Sequence, residues 1–349
     1  MSKLRIAVIF GGASPEYDVS LKSAYSVITH MDKDKYELVM LGITTSGEWL
    51  SFQGTPEKIR DSTWNNLMDC TQAIISPCRK VQGCLVLEAG SFREIKLDAA
   101  MPILHGKNGE DGTVQGLLEL AGIPVIGCTT LSSALCMDKD RAHKLVATAG
   151  VKVPQSVVVE GSTNMEMILA QTKHLGFPLF VKPVKAGSSF GISKVSHPCE
   201  LPAAIKRALE HDNNAIIEEN IAGVEIGCAL LGNEDPLAGE LDEIELTGDF
   251  FDYKQKYTLE STEIHVPARL PDHKTQELKD TAKKIYKTLG CTCFARVDMF
   301  LTPSGEIYFN EVNTIPGFTL HSRYAKMLNA IGVTYEQIID TAIALAVNS

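Results

Sequence analysis

Several things this chain lacks bound what it can be. No apolar run reaches the ~18–20 residues of a membrane-spanning helix, so no membrane partner is expected. Basic residues are in deficit: 33 Lys and Arg face 43 Asp and Glu, a net charge of −10. That balance argues against nonspecific binding to nucleic acid or to an anionic membrane surface, while still allowing a local basic pocket. The nine cysteines are odd in number and scattered. Their one close pair, Cys291 and Cys293, makes neither a zinc nor a C-x-x-C spacing, and a reducing cytoplasm is the expected location. There are no internal repeats and no low-complexity tracts. The opening MSKLRIAVIFGG ends its short apolar run in Gly-Gly, not in a small-residue cleavage site, and reads as a first buried strand instead of an export signal.

What is present describes a globular enzyme-sized chain. With 349 residues, 44% hydrophobic and 22% charged, two or three domains are expected. Leu4–Phe10 reads as a parallel-sheet strand, followed by a Gly11–Gly12 turn, a helix from about Val19 to Met31, and a second strand at Tyr36–Ile43. This spacing opens a doubly wound α/β unit. Asp98–Leu104 gives another strand, and the helix after it stops at Gly122; residues 51–97 show no regular order. One helix is predicted over Ser132–Ala149, then extended structure over Val151–Val159. Two antiparallel strands, PLFVKPV and GISKV, flank a glycine-serine loop. A helix (Leu201–His211) and the strand AIIEEN follow. From about Gly223 the chain is strand-rich until helices at Thr275–Leu289, His321–Ile331 and Tyr335–Val347.

The segment ARVDMFLTPSGEIYFNEVNTIPGF carries the strongest chemical signal. Two strands joined by a Pro-Ser-Gly turn place Arg296 and Asp298 on one, and Glu311 and Asn313 on the other. Period-two alternation points Glu311 and Asn313 the same way, with Val312 opposite. Two carboxylates and an amide oxygen on one sheet face suit magnesium and nucleotide phosphates, and the flanking apolar residues make a merely solvated hairpin face a poor alternative. In KPVKAGSSFGISKV the small residues let backbone N–H groups approach phosphate oxygens, with Lys182 and Lys139 to neutralise them. The loop is neither a P-loop nor a dinucleotide fingerprint, and alone it would pass for a plain hairpin. IIEENIAGVE reads as a crossing between domains whose Glu218, Glu219 and Ile221, followed by Glu225, could hold an adenine; an ordinary strand end is the competing reading. Glu16, after the first strand, suits an ammonium group, while Asp18 is read as a helix N-cap. His105, in the tight loop LHGKNGEDG, could orient a substrate or shuttle protons, or be structural.

Taken in order, FGGASPEYDVS, LHGKNGEDGTVQG, MDKDRAHK, VKPVKAGSSFGISKV, DYKQKY, ARVDMF and FNEVNTIPGFTLHSRY resemble the D-alanine–D-alanine ligase family of ATP-grasp enzymes over nearly the whole chain. The resemblance implies an α/β fold, α+β in parts. Its three domains would be an N-terminal doubly wound parallel sheet (residues 1–128) and two ATP-clamping domains (129–217 and 218–349). ATP and two Mg2+ (or Mn2+) are the implied cofactors, and a homodimer the implied assembly. Residue by residue, Glu16 would bind the ammonium of the first D-alanine, linked through Ser188 to Tyr257 in a closing loop, with His105 nearby. Lys139 and Lys182 would contact phosphates, and Glu218 and Glu225 the adenosine. Asp298, Glu311 and Asn313 would hold the metals. Arg296 and the Gly317 amide would steady an oxyanion, and Ser322 would help seat the second substrate's carboxylate.

For that second substrate, the SRY segment with Arg323 looks more like the glycopeptide-resistance ligases, which accept D-serine or D-lactate. Retention of Asp252, Tyr253, Lys256 and Tyr257 favours an amine nucleophile. Phe251, Arg323 and Asp242 could together hydrogen-bond a serine hydroxyl. Against this stands the reading that Arg323 only pairs with a neighbouring carboxylate. D-alanine–D-serine ligation is the expectation, D-alanine–D-alanine ligation for peptidoglycan synthesis the alternative, and a nonenzymatic nucleotide sensor the alternative of another class.

Overall fold

Among the described residues, three sheets carry the molecule, of seven, four and five strands. The computed structural model describes residues 3–187, 190–246 and 262–348, so the expected site residues Ser188, Phe251, Lys256 and Tyr257 lie outside the described part. In the first sheet β1 (Leu4–Gly11) pairs in parallel with β2 (Tyr36–Ile43) on one side and β7 (Ala99–Ile103) on the other. These are the hydrophobic runs of the expected α/β unit, and β1 is fully buried from Ile6 to Phe10. The parallel part ends there. The stretch 51–97, which has no legible order in the sequence, supplies most of an antiparallel extension: β3 (Trp49–Phe52), β4 (Cys70–Ile75), β5 (Gly83–Glu88) and β6 (Ser91–Lys96). The sheet is therefore mixed. β6 is mostly exposed and lies at the sheet edge, which explains its weak hydrophobic pattern.

The middle sheet, β10-β9-β11-β8, is antiparallel: β8 (Ser156–Glu160), β9 (Leu179–Pro183), β10 (Ser193–Val195) and β11 (Asn214–Glu219). Its own core includes Val159, Leu179, Val181, Ile205 and Ile217. The boundary expected after residue 217 falls inside β11. The third sheet runs β14-β13-β12-β15-β16, from β12 (Val224–Leu231), β13 (Leu237–Leu246), β14 (Thr262–His265), β15 (Phe294–Leu301) and β16 (Ile307–Asn313).

Two expectations about helices need correction. The single helix over Ser132–Ala149 is two, Thr130–Met137 and Lys139–Thr148. Asp138 leaves helical geometry (φ −88°, ψ 97°) and its carboxylate accepts the Arg141 N–H, capping the second helix; an aspartate offers this local bond more readily than it continues a helix. Both helices pack into the core of the third sheet through Cys136, Ala142 and Val146. The first helix begins at Tyr17, so Glu16 occupies the N-cap position without a side-chain cap bond, and Asp18 lies in the first turn. Asp18 therefore acts on the helix dipole and not as the cap.

The largest consequence for the site is a shared core. Ile6, Val8, Phe10, Leu21 and Met101 of the first unit pack in one cluster with Phe294, Phe318, Tyr324, Ile339 and Ile343. The last helices, Arg323–Asn329 and Tyr335–Val347, thus join the third sheet to the first.

Candidate functional site

The hairpin β15–β16 sets Arg296 opposite Asn313 and Asp298 opposite Glu311, as strand alternation requires for one face. A bulge follows: Met299 pairs with Phe309, leaving Asn310 as an extra residue on β16. A bulged residue drops out of the ladder, and the Asn310 carbonyl here accepts a bond from His143 Nε2 at 2.8 Å.

Asp298, 1% exposed, is the hub of the face. Arg296 Nε and Nη2 each donate to it at 2.7 Å, and Asn313 Nδ2 donates at 2.9 Å. Arg296 Nη1 takes no part in that pair. Arg323 approaches from the start of its helix: Nε and Nη2 grip Asp242 at 2.6 and 2.8 Å, Nη1 reaches Glu225 at 3.3 Å, and Nη2 lies 3.6 Å from Asp298. Asp242 has no exposed surface, so a bidentate guanidinium is what keeps its charge tolerable there. This crossing needs a glycine on β12. A Cβ on Gly227 would sit 2.4 Å from Asp242 Oδ1 and 2.6 Å from Arg323 Nη2. The carboxylate-pairing reading of Arg323 is thus the geometry observed, with Asp242 and Glu225 as the main partners.

A second cluster lies between the middle sheet and this face. Lys182 on β9 donates to Glu218 on β11 at 2.7 Å; Glu218 is buried and Lys182 half-buried. Burial pulls the Lys182 pKa down, but Glu218, with Glu311 and Glu225, more than offsets it, for a net rise. Burial pushes Glu218 up, and Lys182, His143 and Lys139 reverse that to a net fall. The two shifts agree on a charged pair. Lys139, first residue of its helix, points its ammonium at the Ala186 carbonyl, 2.7 Å away, in the glycine-serine segment. Beyond Lys182, Glu218 Oε1 faces His143 Nδ1 at 3.7 Å. Glu219 turns elsewhere and accepts the Gln155 N–H at 2.8 Å, while Ile221 is half-buried in the segment after β11.

The third cluster comes from the first sheet, at the carboxyl ends of β1 and β7. Glu16 is buried, and a Cβ on Gly106 (φ +73°) would fall 2.3 Å from its Oε2, one on Gly187 2.9 Å away. Glycine at these positions brings the β7 loop and the glycine-serine loop up to this one carboxylate. Glu110, also buried, accepts the Gly106 and Ile315 N–H groups. Burial, with Glu16 and then Glu311 nearby, pushes its pKa up to about 8. His105 is buried with Nδ1 2.9 Å from the Ile315 carbonyl and Nε2 3.3 Å from Ser23 Oγ. Burial lowers its pKa to about 4, so at neutral pH the ring is uncharged and both nitrogens are engaged, which does not suit the expected proton shuttle. Ser322 is half-buried at the N-cap of its helix, its Oγ donating to the Thr319 carbonyl. Gly317 is the half-buried residue between buried Pro316 and Phe318.

The donor set of Asp298, Glu311 and the Asn313 amide oxygen is all hard oxygen and suits Mg2+ or Mn2+. A different group, Glu245, Glu263 and His265, has its side-chain atoms within 4.8 Å of one another; Glu245 is already paired with Arg269 and His265, so it is a poor ion site. Sequence reasoning passed over Glu110, His143 and Ser23. His143 was signalled by its i, i+4 spacing from Lys139, which puts both on one helix face. Glu110 carried only its place in a glycine-rich polar loop, and Ser23 carried no signal.

The chain matches two family models, described as D-ala D-ala ligase N-terminus over residues 5–128 and D-ala D-ala ligase C-terminus over 145–344. Among curated proteins it is 44% identical to a D-alanine–D-alanine ligase of a Thermoanaerobacter species, over all of this chain and 98% of that one. It is 43% identical to a putative D-alanine–D-lactate ligase of Streptomyces coelicolor, over 99% of this chain and 98% of that one. Among solved structures, the VanG D-Ala:D-Ser ligase from Enterococcus faecalis superposes with a TM-score of 0.92 at 52% identity, covering 99% of this chain and all of that one.

Proposed function

The chain belongs to the D-alanine–D-alanine ligase family, and from that premise we propose that it joins D-alanine to D-serine. Members of the family are ATP-dependent ligases that form a peptide or related bond, so the sensor reading is set aside. The choice of second substrate rests on the Arg323–Asp242–Glu225 cluster together with the 52% likeness to a D-Ala:D-Ser ligase. A wall of charged groups favours a ligand that brings its own hydroxyl and disfavours one that lacks it. D-Alanine is the second reading, supported by the curated D-alanine–D-alanine ligases that share 44% of the sequence.

In this reading Glu16 holds the ammonium of the first D-alanine, and the amino acid's carboxylate attacks the terminal phosphate of ATP, expelling ADP and leaving an acyl phosphate. Lys139 and Lys182 bind phosphate oxygens, Glu218 with the segment to Ile221 holds the base, and Glu225 the ribose. Asp298, Glu311 and Asn313 would hold magnesium, which when bound would offset the negative charge that builds up in phosphoryl transfer. The amine of the second substrate then displaces phosphate from the acyl phosphate, while Arg296, through Nη1, and the Gly317 amide steady the oxyanion. Glu16 meets the glycine-serine loop at Gly187, where closure would exclude water from the acyl phosphate. Cytoplasmic location and a homodimer belong to the same proposal; among the described residues no helix is long and apolar enough to cross a membrane.

Competition kinetics test the substrate assignment. Phosphate release from ATP in the presence of D-alanine and equal D-serine is expected to yield mainly the mixed dipeptide, and Arg323→Leu to shift the product toward D-alanyl-D-alanine. A wild-type preference for D-alanine would refute D-serine as the second substrate.

A further inference from the structure

The segment from Ile315 to Phe318, which carries Gly317, is held by three side chains of the first unit, besides the Tyr335 hydroxyl of the last helix, which donates to the Phe318 carbonyl. Ile315 has both of its backbone groups captured: its N–H by Glu110 at 3.1 Å and its carbonyl by His105 Nδ1 at 2.9 Å. Glu110 and His105 sit in one loop after β7, and Glu110's other oxygen is tied to Gly106 N–H at 2.9 Å. Phe318 N–H donates to Ser23 Oγ at 3.2 Å, and Ser23 Oγ lies 3.3 Å from His105 Nε2.

With the His105 ring uncharged, one arrangement of protons satisfies the bonds of His105 and Ser23. The Ile315 carbonyl can only accept, so His105 Nδ1 must carry the hydrogen. Nε2 is then a bare acceptor, which takes the Ser23 hydroxyl proton, and Ser23 is left with a lone pair for the Phe318 N–H. The chain Phe318 N–H to Ser23 to His105 to Ile315 carbonyl closes on the segment it started from. Every member is buried, where an unmade bond would be costly.

We propose that Glu110, His105 and Ser23 are positioning residues that together form a clamp fixing the Gly317 amide for the reaction. The clamp acts from the first unit on a loop of the third, so the oxyanion donor is set only when the two units are docked. This goes further than the function proposed above and rests on it, because a fixed Gly317 amide matters only if a developing oxyanion is there to meet it. An amide donor is worth most when held in place beforehand, and small misplacement of such a group is costly in rate.

The test pairs a structural readout with a kinetic one on the full-length protein. Ser23→Ala removes one hydroxyl from the clamp, and Glu110→Gln replaces one acceptor oxygen with an amide that faces an N–H. Hydrogen exchange of the Ile315 and Phe318 amides is expected to quicken at least about tenfold in these variants, with the amides of β1 unchanged. With D-alanine and ATP, kcat is expected to fall ~10- to 100-fold while KM for ATP stays within about twofold. Combining Ser23→Ala with His105→Gln should add little to the fall in kcat, because both break the same chain. Unchanged exchange at Ile315 and Phe318 would overturn the clamp. Quicker exchange with unaltered kcat would overturn its role in positioning Gly317. Wild-type protein that turns over no ATP with D-alanine would instead defeat the ligase reading, leaving the exchange result to speak for the clamp alone.

Discussion

Among single residues, His105 shows how far burial can change a side chain's use. In water the imidazole titrates near 6.5, whereas here burial lowers the value to about 4. The folded protein therefore binds fewer protons than the unfolded chain between those values, and stability falls as pH drops from about 6.5 to about 4. The difference across that window is on the order of 3 kcal/mol. Urea titrations at a series of pH values are expected to show this slope in the wild type and a shallower one in His105→Gln. Equal slopes would mean that His105 does not titrate between the two states. At the same scale, Arg323 was read beside Asp242, and the fold adds the carboxylates that complete its surroundings. The sequence already groups Arg323 with Asp242; only the fold adds Glu225 and Asp298, so that carboxylates from three strands surround it.

Secondary-structure elements explain how these side chains converge. Strand alternation on β15 and β16 is a property of the local chain, so the common face of Arg296, Asp298, Glu311 and Asn313 was legible beforehand. The bulge at Asn310 was not, because it depends on the register between strands. It frees a carbonyl for His143 and so connects the last hairpin to the helix that carries Lys139. On β12 the equivalent hidden feature is Gly227. Its lack of a side chain reads in the sequence as a weak point in a strand, and its use appears only when Arg323 is seen to cross it. Gly227→Ala is expected to push the guanidinium off Asp242, at a cost of about 1–3 kcal/mol. D-Alanine-dependent ATP turnover should drop at least about tenfold. Thermal melts and phosphate release would check both, and wild-type values in each would show that Arg323 has room to spare.

For the whole molecule, the first and third units share a core while the middle sheet keeps its own. Ile343→Ala, in the last helix, is expected to cost about 2–5 kcal/mol and to quicken amide exchange in β1 as well as in β12, because all three border one cluster. Leu179→Ala, inside the middle sheet, is expected to quicken exchange in β9 and β11 and leave β1 unaltered. Exchange mapped by mass spectrometry distinguishes the two patterns, and a β1 that ignores Ile343→Ala would show that the shared cluster does not couple the units. A body made of the first and third units, with a separately packed middle sheet, also accounts for where the expected boundaries shift. The helices over residues 130–148 pack with the third sheet, and the cut after residue 217 passes through β11.

By itself the sequence determined the α/β class, most element positions, the oxygen face of the last hairpin, the lysines and the family. These follow from hydrophobic periodicity and from motifs whose residues are neighbours along the chain. It left unordered the stretch 51–97, whose short strands pair antiparallel and end in the exposed edge strand β6, so little regular pattern was there to read. Tertiary structure alone decided that Arg323 grips Asp242 with both of its carboxylate oxygens, the bulge that serves His143, and the grip of Glu110, His105 and Ser23 on Ile315 and Phe318. Those bonds join residues roughly 80 to 300 positions apart, and a hydrogen bond depends on distance in space, which local sequence patterns do not specify.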